Sequence, residues 1–387
     1  MMEHPFVTTK TPELLLDLDA FEHNTKMIAK QAFGKKIRIA SKSIRSLELL
    51  RYILDSDDVF QGVMCYTAEE ALFLYENNIT DIIIGYPTTD QLRLSKIAQV
   101  HGEAKIFVMI DSIHHVNELE DLAKAVNGRF YVLVDIDMST QFPALHFGVR
   151  RSPLQQCEEV LGVAFAIRQS QNLQFCGIMG YEAQIAGVPD FVRGKSLTNK
   201  LIQTLKKVSM PQIEKRRKRI VTCLEDHGFI CRIVNGGGTG SLSHTVCEEV
   251  ITEVTVGSGF YAPVLFDHYR DFQYNPALFF SLPIVRQAGK HLYTCLGGGY
   301  IASGSVGVDK QPLLIYPPGA SLTKLEGAGE VQTPIHYLGT LHIGDSVLFR
   351  AAKAGEICER FDNIIGQRNG EVEQSFLTYR GEGVCFL

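Results

Sequence analysis

The chain has 387 residues, 45% of them hydrophobic, with a formal net charge of -5. That length suits two or three domains, or one barrel plus a smaller module, with a substantial core, and the acidic balance argues against nucleic-acid binding as the main activity. Met1-Met2-Glu3-His4-Pro5 lacks the basic start and apolar stretch of a signal peptide, and no apolar run reaches the roughly 18 residues that span a bilayer, so a soluble cytoplasmic protein without a membrane partner is expected.

The first element in chain order is an alternating, strand-like run at Glu13–Asp19. Short β-branched runs then predict strands at Ile37–Ser41, Gly62–Tyr66, Asp81–Gly85, Lys105–Ile110, Phe130–Ile136, Phe175–Gly180, Arg232–Asn235 and Glu253–Val256. Helical spacing separates them at Ala68–Asn77, Thr89–His101, Ile113–Val126, Ser152–Ser170 and Thr198–His227. Eight strand-helix repeats predict parallel strands closed into a (β/α)8 TIM barrel, with the C-terminal strand ends on one face. The basic run Lys215-Arg216-Arg217-Lys218-Arg219 falls in the last helical pattern and reads as a solvated helix face.

After Val264 the helical spacing fades. Gly and Pro punctuate strands at Leu278–Val285, His291–Cys295, Gly344–Phe349 and Val372–Tyr379, a smaller and mostly antiparallel β domain. The expected division is a barrel over 25–264 and a β domain made of 1–24 and 265–387, with the Glu13–Asp19 run pairing into the latter. The nine cysteines are scattered, odd in number and without a Cys-x-x-Cys pair, which fits reduced thiols rather than a disulfide framework or a zinc ribbon.

Several predicted strand ends carry chemistry. Lys42 follows the first strand among the small residues of Ala40-Ser41-Lys42-Ser43; Cys65-Tyr66 ends the second, Asp135 and Asp137 close the fifth, and Tyr181-Glu182 follows the sixth. An ammonium at the mouth of a buried strand is costly to desolvate, which makes such a lysine available as a nucleophile or base and so a candidate Schiff-base lysine; a lysine that snorkels at a strand end is the plainer alternative. Asn235-Gly236-Gly237-Gly238-Thr239-Gly240-Ser241 follows the seventh strand and Val256-Gly257-Ser258-Gly259-Phe260-Tyr261 the eighth. Neither is a Walker-type or dinucleotide loop. They stand where barrels often bind phosphate through bare backbone N–H groups, with Gly237, Gly238, Thr239, Gly257 and Ser258 as candidate contacts and Tyr261 as a further hydroxyl. A lysine opposite a phosphate site points to pyridoxal 5'-phosphate, an electron sink for a carbanion at a substrate α-carbon.

The sequence resembles the fold-type III pyridoxal-phosphate enzymes: alanine racemase, D-threonine aldolase and D-serine dehydratase. Thr11-Pro12 with Asp17 and Asn24, then Ile39-Ala40-Ser41-Lys42-Ser43, then Gly148-Val149-Arg150-Arg151-Ser152-Pro153 carry the likeness. Leu325-Glu326-Gly327-Ala328-Gly329-Glu330 and Thr378-Tyr379-Arg380-Gly381-Glu382-Gly383 look most like bacterial amino-acid aldolases and deaminases related to D-threonine aldolase. The resemblance implies that Lys42 carries the cofactor, that Arg151 (with Arg150 as the second choice) approaches its phenolic oxygen, and that two chains form a homodimer in which the β domain caps the partner's barrel.

Two positions depart from the pattern. The aldolase and dehydratase branches place a metal-binding His-x-Asp or His-x-Cys shortly after Gly-Asp-x-Val. Here Gly344-Asp345-Ser346-Val347 leads to Arg350-Ala351-Ala352-Lys353-Ala354-Gly355-Glu356 without a histidine, so no metal ligand transfers; His336 and His342 nearby read as ordinary β-domain residues. Alanine racemase offers an arginine to the pyridine nitrogen where this chain has Thr255.

The expected function is cleavage of a β-hydroxy-D-amino acid in the manner of D-threonine aldolase, with Lys42 holding the cofactor, Tyr181 near its ring, and His146, Tyr181 and Lys353 as candidates for the acid or base. D-Serine dehydration and amino-acid racemisation are the alternatives within the family, the latter needing a second base such as Tyr300. A non-catalytic cofactor-binding protein is the alternative outside enzymes.

Overall fold

The computed structural model describes residues 4–304 and 307–386. The chain divides into two compact units. One comprises Ala29–Ser41, Tyr52–Gly257 and Phe386–Leu387; the other Met1–Ile28, Lys42–Arg51 and Ser258–Cys385.

In the first unit eight parallel strands close into a barrel: Lys36–Ala40, Phe60–Cys65, Asp81–Ile84, Lys105–Ile110, Phe130–Asp135, Leu173–Gly180, Ile233–Gly236 and Glu253–Val256. Closure is made by the last strand on the first, with Val256 opposite Ile39. Each of the eight predicted runs supplies one strand. The connecting helices start where the sequence offers a side-chain acceptor: Thr67, Asp90 and Ser112 accept from the N–H of Glu70, Arg93 and His115. Ile83, Phe107, Met109, Leu133, Cys176 and Met179 form a buried cluster.

The barrel's N-terminal end is closed by charge. Arg38 is fully buried and pairs in bidentate fashion with Glu253 at 2.8 and 2.9 Å, and with Asp81 at 2.7 Å. Gly62 leaves space for it: a Cβ there would stand 2.6 Å from the guanidinium. Fixed pairs at this end serve stability, which leaves the opposite strand ends for chemistry.

Two features of this unit differ from expectation. A short hairpin, Thr140–Phe142 with Leu145–Phe147, is inserted after the fifth barrel strand and carries His146. Three-residue strands are too short to show a period of two. The helix expected from Ser152 begins only at Cys157, after the Ser152-Pro153 turn in which Ser152 donates to the Asp135 carbonyl. The reduced-thiol expectation also fails for one pair. Cys157 and Cys223 form a disulfide between the helices Cys157–Gln169 and Ser196–Asp226, 66 residues apart in sequence. Two helices packed side by side bring the thiols together, which spacing along the chain does not reveal.

The second unit is a mostly antiparallel sheet. Its early strand Glu13–Asp17 lies between Leu278–Gly289, antiparallel, and Asn363–Arg368, parallel. Leu15 is buried there with Phe6 and Leu348. Ser346–Arg350 pairs with the other side of Leu278–Gly289, and the rings of Phe280 and Phe349 stack at 5.1 Å. No described helix in either unit is long and apolar enough to cross a membrane.

Candidate active site

At the C-terminal strand ends of the barrel, Tyr86, Asp111, Asp135 and Tyr181 follow or close four strands. Arg151, from the turn before Cys157, places its guanidinium 5.4 Å from the ring centre of Tyr86 and 5.5 Å from that of Tyr181. Of the two candidate arginines, Arg151 is the one in these ring contacts. Burial pushes the Tyr181 phenol up to about 12, so it remains a proton donor at neutral pH. Burial likewise pushes the Asp135 carboxyl up to about 7, with Asp111 adding to the shift and Arg151 opposing it. Asp137, by contrast, is structural: it accepts from Ser139 N and Oγ and from Gln155.

The loop after the seventh strand runs tightly packed. Gly237 has φ +80°, and a Cβ on it would stand 2.2 Å from Val254 Cγ1; a Cβ on Gly238 would meet Ala186 at 2.8 Å and the Tyr181 ring at 3.3 Å. Only glycine lets the main chain pass there. Gly238 N–H donates to Ser241 Oγ at 3.1 Å, a bond that shapes the loop. Thr239 is buried in the same loop.

What sequence reasoning missed is the anchor beneath this loop. Arg217 is fully buried, not solvated, and donates to the Gly180 carbonyl at 3.0 Å and to Glu182 at 2.8 Å, with Glu248 on its other side. Glu182 in turn accepts from Ser241 at 2.8 Å and from Thr245. One guanidinium thereby ties the residues flanking Tyr181 to the glycine loop. Its neighbour Arg216 donates to the carbonyls of Asp137 and Ser139 at 2.7 and 2.8 Å. Within the basic run, Lys218 and Arg219 keep the exposed role expected of all five. Nothing in the run sets Arg216 and Arg217 apart from the exposed Arg219.

His146 is half-buried on the hairpin. Its Nδ1 lies 3.3 Å from Gln141 Oε1, and its Nε2 has no hydrogen-bond partner among the described residues. Thr255 Oγ1 accepts from the Asn235 amide at 2.9 Å, in a buried group with Glu253.

In the second unit Lys42 belongs to the helical turn Ser41–Ser43, which continues directly from the first barrel strand, and its side chain is exposed. Its main chain is held from several sides. Arg45 Nε donates to the Lys42 carbonyl at 3.1 Å and is itself paired with Glu359. Ser43 Oγ lies 3.3 Å from Ser258 Oγ. Tyr261 donates its hydroxyl to the Ile44 carbonyl at 3.0 Å. That bond ties the buried Tyr261 to the segment after Lys42. Tyr300 packs edge-on against Phe280 and Phe361. His336 ends a strand, and His342 sits exposed beside Asp345 at 3.5 Å. Among the described residues no group of three or more His, Cys, Asp or Glu is placed to hold a metal ion.

Residues 16–262 match the family model of the alanine racemase N-terminal domain. The chain belongs to that family. It is similar to a 3-hydroxy-D-aspartate aldolase of Paracoccus denitrificans (strain Pd 1222), 23% identical over 386 residues that cover 97% of this chain and 93% of that protein. A D-threonine aldolase of Arthrobacter sp is 24% identical over 259 residues, 66% of this chain and 62% of that one. The crystal structure of D-threonine aldolase from Filomicrobium marinum shares the fold, with a TM-score of 0.81 at 20% identity, covering 98% of this chain and 99% of that one. That structure and this chain thus share a fold over nearly their whole length.

Proposed function

We propose that the chain is a pyridoxal-phosphate-dependent lyase that cleaves β-hydroxy-D-amino acids such as D-threonine or 3-hydroxy-D-aspartate. One observation carries the reading: Lys42 directly continues the first strand of a barrel in the alanine racemase N-terminal domain family, with its carbonyl held by Arg45 Nε.

The residues present fit the cofactor. The tight main chain at Gly237 leaves no room for a Cβ, and Arg151 beside two tyrosines suits an anionic ring oxygen. Lys42 would hold the cofactor covalently, Arg151 would take its phenolic oxygen, and Gly237, Thr239, Gly257 and Ser258 would take its phosphate. Bound there, the group supplies an electron sink for the bond broken at the substrate α-carbon.

The chain's own side chains do the rest. Tyr181, its phenol raised by burial, would donate a hydrogen bond beside Arg151. Arg217 holds Tyr181 in place by donating to the carbonyl of Gly180 before it and to the carboxylate of Glu182 after it. His146, with its unpartnered Nε2, is assigned as the base for the substrate's β-hydroxyl. A homodimer belongs to the same reading and is tested by light scattering.

The experiment is a spectrum followed by an assay. Protein reconstituted with pyridoxal phosphate is expected to show the visible band of a lysine-bound pyridoxal, and Lys42→Ala to abolish it. D-Threonine and 3-hydroxy-D-aspartate are expected to yield glycine and an aldehyde. Absence of the band in the wild type overturns the reading. A keto acid with ammonia in place of glycine identifies a dehydratase, and inversion without cleavage a racemase.

A further inference from the structure

The metal implied for the aldolase and dehydratase branches does not fit this chain, and the segment that would hold it contains a lysine. After strand Ser346–Arg350, the side chains on offer are Arg350, three alanines, Lys353 and Glu356. Arg350 is engaged: it pairs with Asp267 at 2.7 and 2.9 Å and donates to the Ala262 carbonyl. Lys353 Nζ donates to the Ser303 carbonyl at 2.7 Å and to Ser303 Oγ at 3.1 Å. Glu356 completes the group by accepting from Ser303 N at 2.7 Å and Oγ at 2.6 Å, and it lies 3.8 Å from Lys353. The Glu356 carboxylate is thus already hydrogen-bonded, and the Lys353 ammonium repels a second cation at this range. A divalent ion needs several oxygen or nitrogen donors, which these residues do not supply.

The same segment lies against Lys42. Gly355 has φ +81°, and a Cβ on it would stand 2.0 Å from the Lys42 carbonyl oxygen and 2.9 Å from Ser43 Cα. Two residues before that contact stands Lys353, whose side chain is one-third exposed. The bonds to Ser303 account for two of its three protons.

We infer that the Lys353 ammonium, held by Ser303 and Glu356, supplies the positive charge for the substrate's β-oxygen, and that the holoenzyme works without a divalent cation. The inference rests on the lyase reading above. In retro-aldol cleavage the β-hydroxyl loses its proton to the base, its oxygen becomes the aldehyde carbonyl, and the Cα–Cβ bond breaks. The electron pair of that bond stays with the α-carbon, which takes up a proton to end as glycine. Negative charge develops on the β-oxygen as its proton leaves, and a fixed ammonium stabilises it there. Lys353 is therefore a hydrogen-bond donor to the substrate and not the base.

The test uses cofactor-loaded enzyme freed of metal with a chelator. Mn2+ binding is followed by electron paramagnetic resonance, and cleavage of D-threonine and 3-hydroxy-D-aspartate is measured with and without added Mn2+. No stoichiometric Mn2+ binding and unchanged kcat are expected. In metal-free enzyme Lys353→Met is expected to lower kcat about 100-fold, with the visible cofactor band and the melting temperature retained, while Lys353→Arg recovers part of the rate. One equivalent of Mn2+ per chain, Mn2+-dependent turnover, or unchanged kcat in a folded, cofactor-loaded Lys353→Met overturns the inference and leaves the lyase reading standing. A wild type that binds cofactor but cleaves neither substrate overturns the lyase reading itself, and the inference with it.

Discussion

Gly355 stands on the carbonyl of Lys42, so close that a Cβ at position 355 would lie 2.0 Å from that oxygen. With φ at +81° the position also disfavours any side chain on conformational grounds. Gly355→Ala is therefore expected to displace the turn that presents the Lys42 amine. The expected outcome is pyridoxal phosphate affinity at least about tenfold weaker, read from the visible band during titration. Gly319→Ala is the control: its φ is +86° but nothing lies within 4 Å of the added Cβ, so it carries only the conformational cost.

Arg217→Met leaves Glu182 and Glu248 buried against each other without their guanidinium. Removing one partner of a buried ionic group costs about 3–5 kcal/mol, so urea unfolding should show a loss of that order. The exposed pair Lys218–Glu249 lies one residue further along the same helix, and Lys218→Met is expected to leave stability essentially unchanged. Equal effects from the two substitutions would contradict the buried anchor.

Asp135 makes stability depend on pH. Its carboxyl is raised from 3.8 to about 7 by burial, so between these values the folded state holds a proton that the unfolded state has released. Its contribution is thus fully present below about pH 4, is lost as the pH rises to about 7, and changes no further above that. Asp135→Asn removes the dependence. The melting temperature of the variant relative to wild type should climb from pH 4 to pH 7 and then level off, with a gain of at most ~4 kcal/mol. A difference that does not vary with pH would show an ordinary carboxylate.

The disulfide between Cys157 and Cys223 leaves seven free thiols among nine cysteines. Alkylation of denatured, unreduced protein should label seven cysteines, as read by mass spectrometry, and nine after reduction. Chain-entropy arguments give a cross-link across 66 residues about 4 kcal/mol of stabilisation, so a reductant should lower the unfolding midpoint. Nine labelled thiols before reduction would remove the bond.

Much of the architecture is local in origin and could be read directly. Most barrel strands are short apolar runs set between helical patterns, as in Ile82-Ile83-Ile84, so eight of them announce a closed parallel barrel whatever packs around it. Lys42 and the two glycine loops were visible for the same reason: each sits at a strand end that periodicity locates. The placement of charge was not legible. Whether Arg217 faces water or Glu182 depends on residues 35 positions earlier in the chain, and the basic run reads identically in both cases. The choice of Arg151 over Arg150, the hydroxyl of Tyr261 turned to Ile44, and the joining of Cys157 to Cys223 follow from which helices and turns meet. Gly355 is the clearest case. In the sequence it is one glycine among 34, and only the fold sets it against Lys42, some 300 residues earlier in the chain. Periodicity is a property of neighbours along the chain, whereas burial of an ion and contact with Lys42 are properties of neighbours in space.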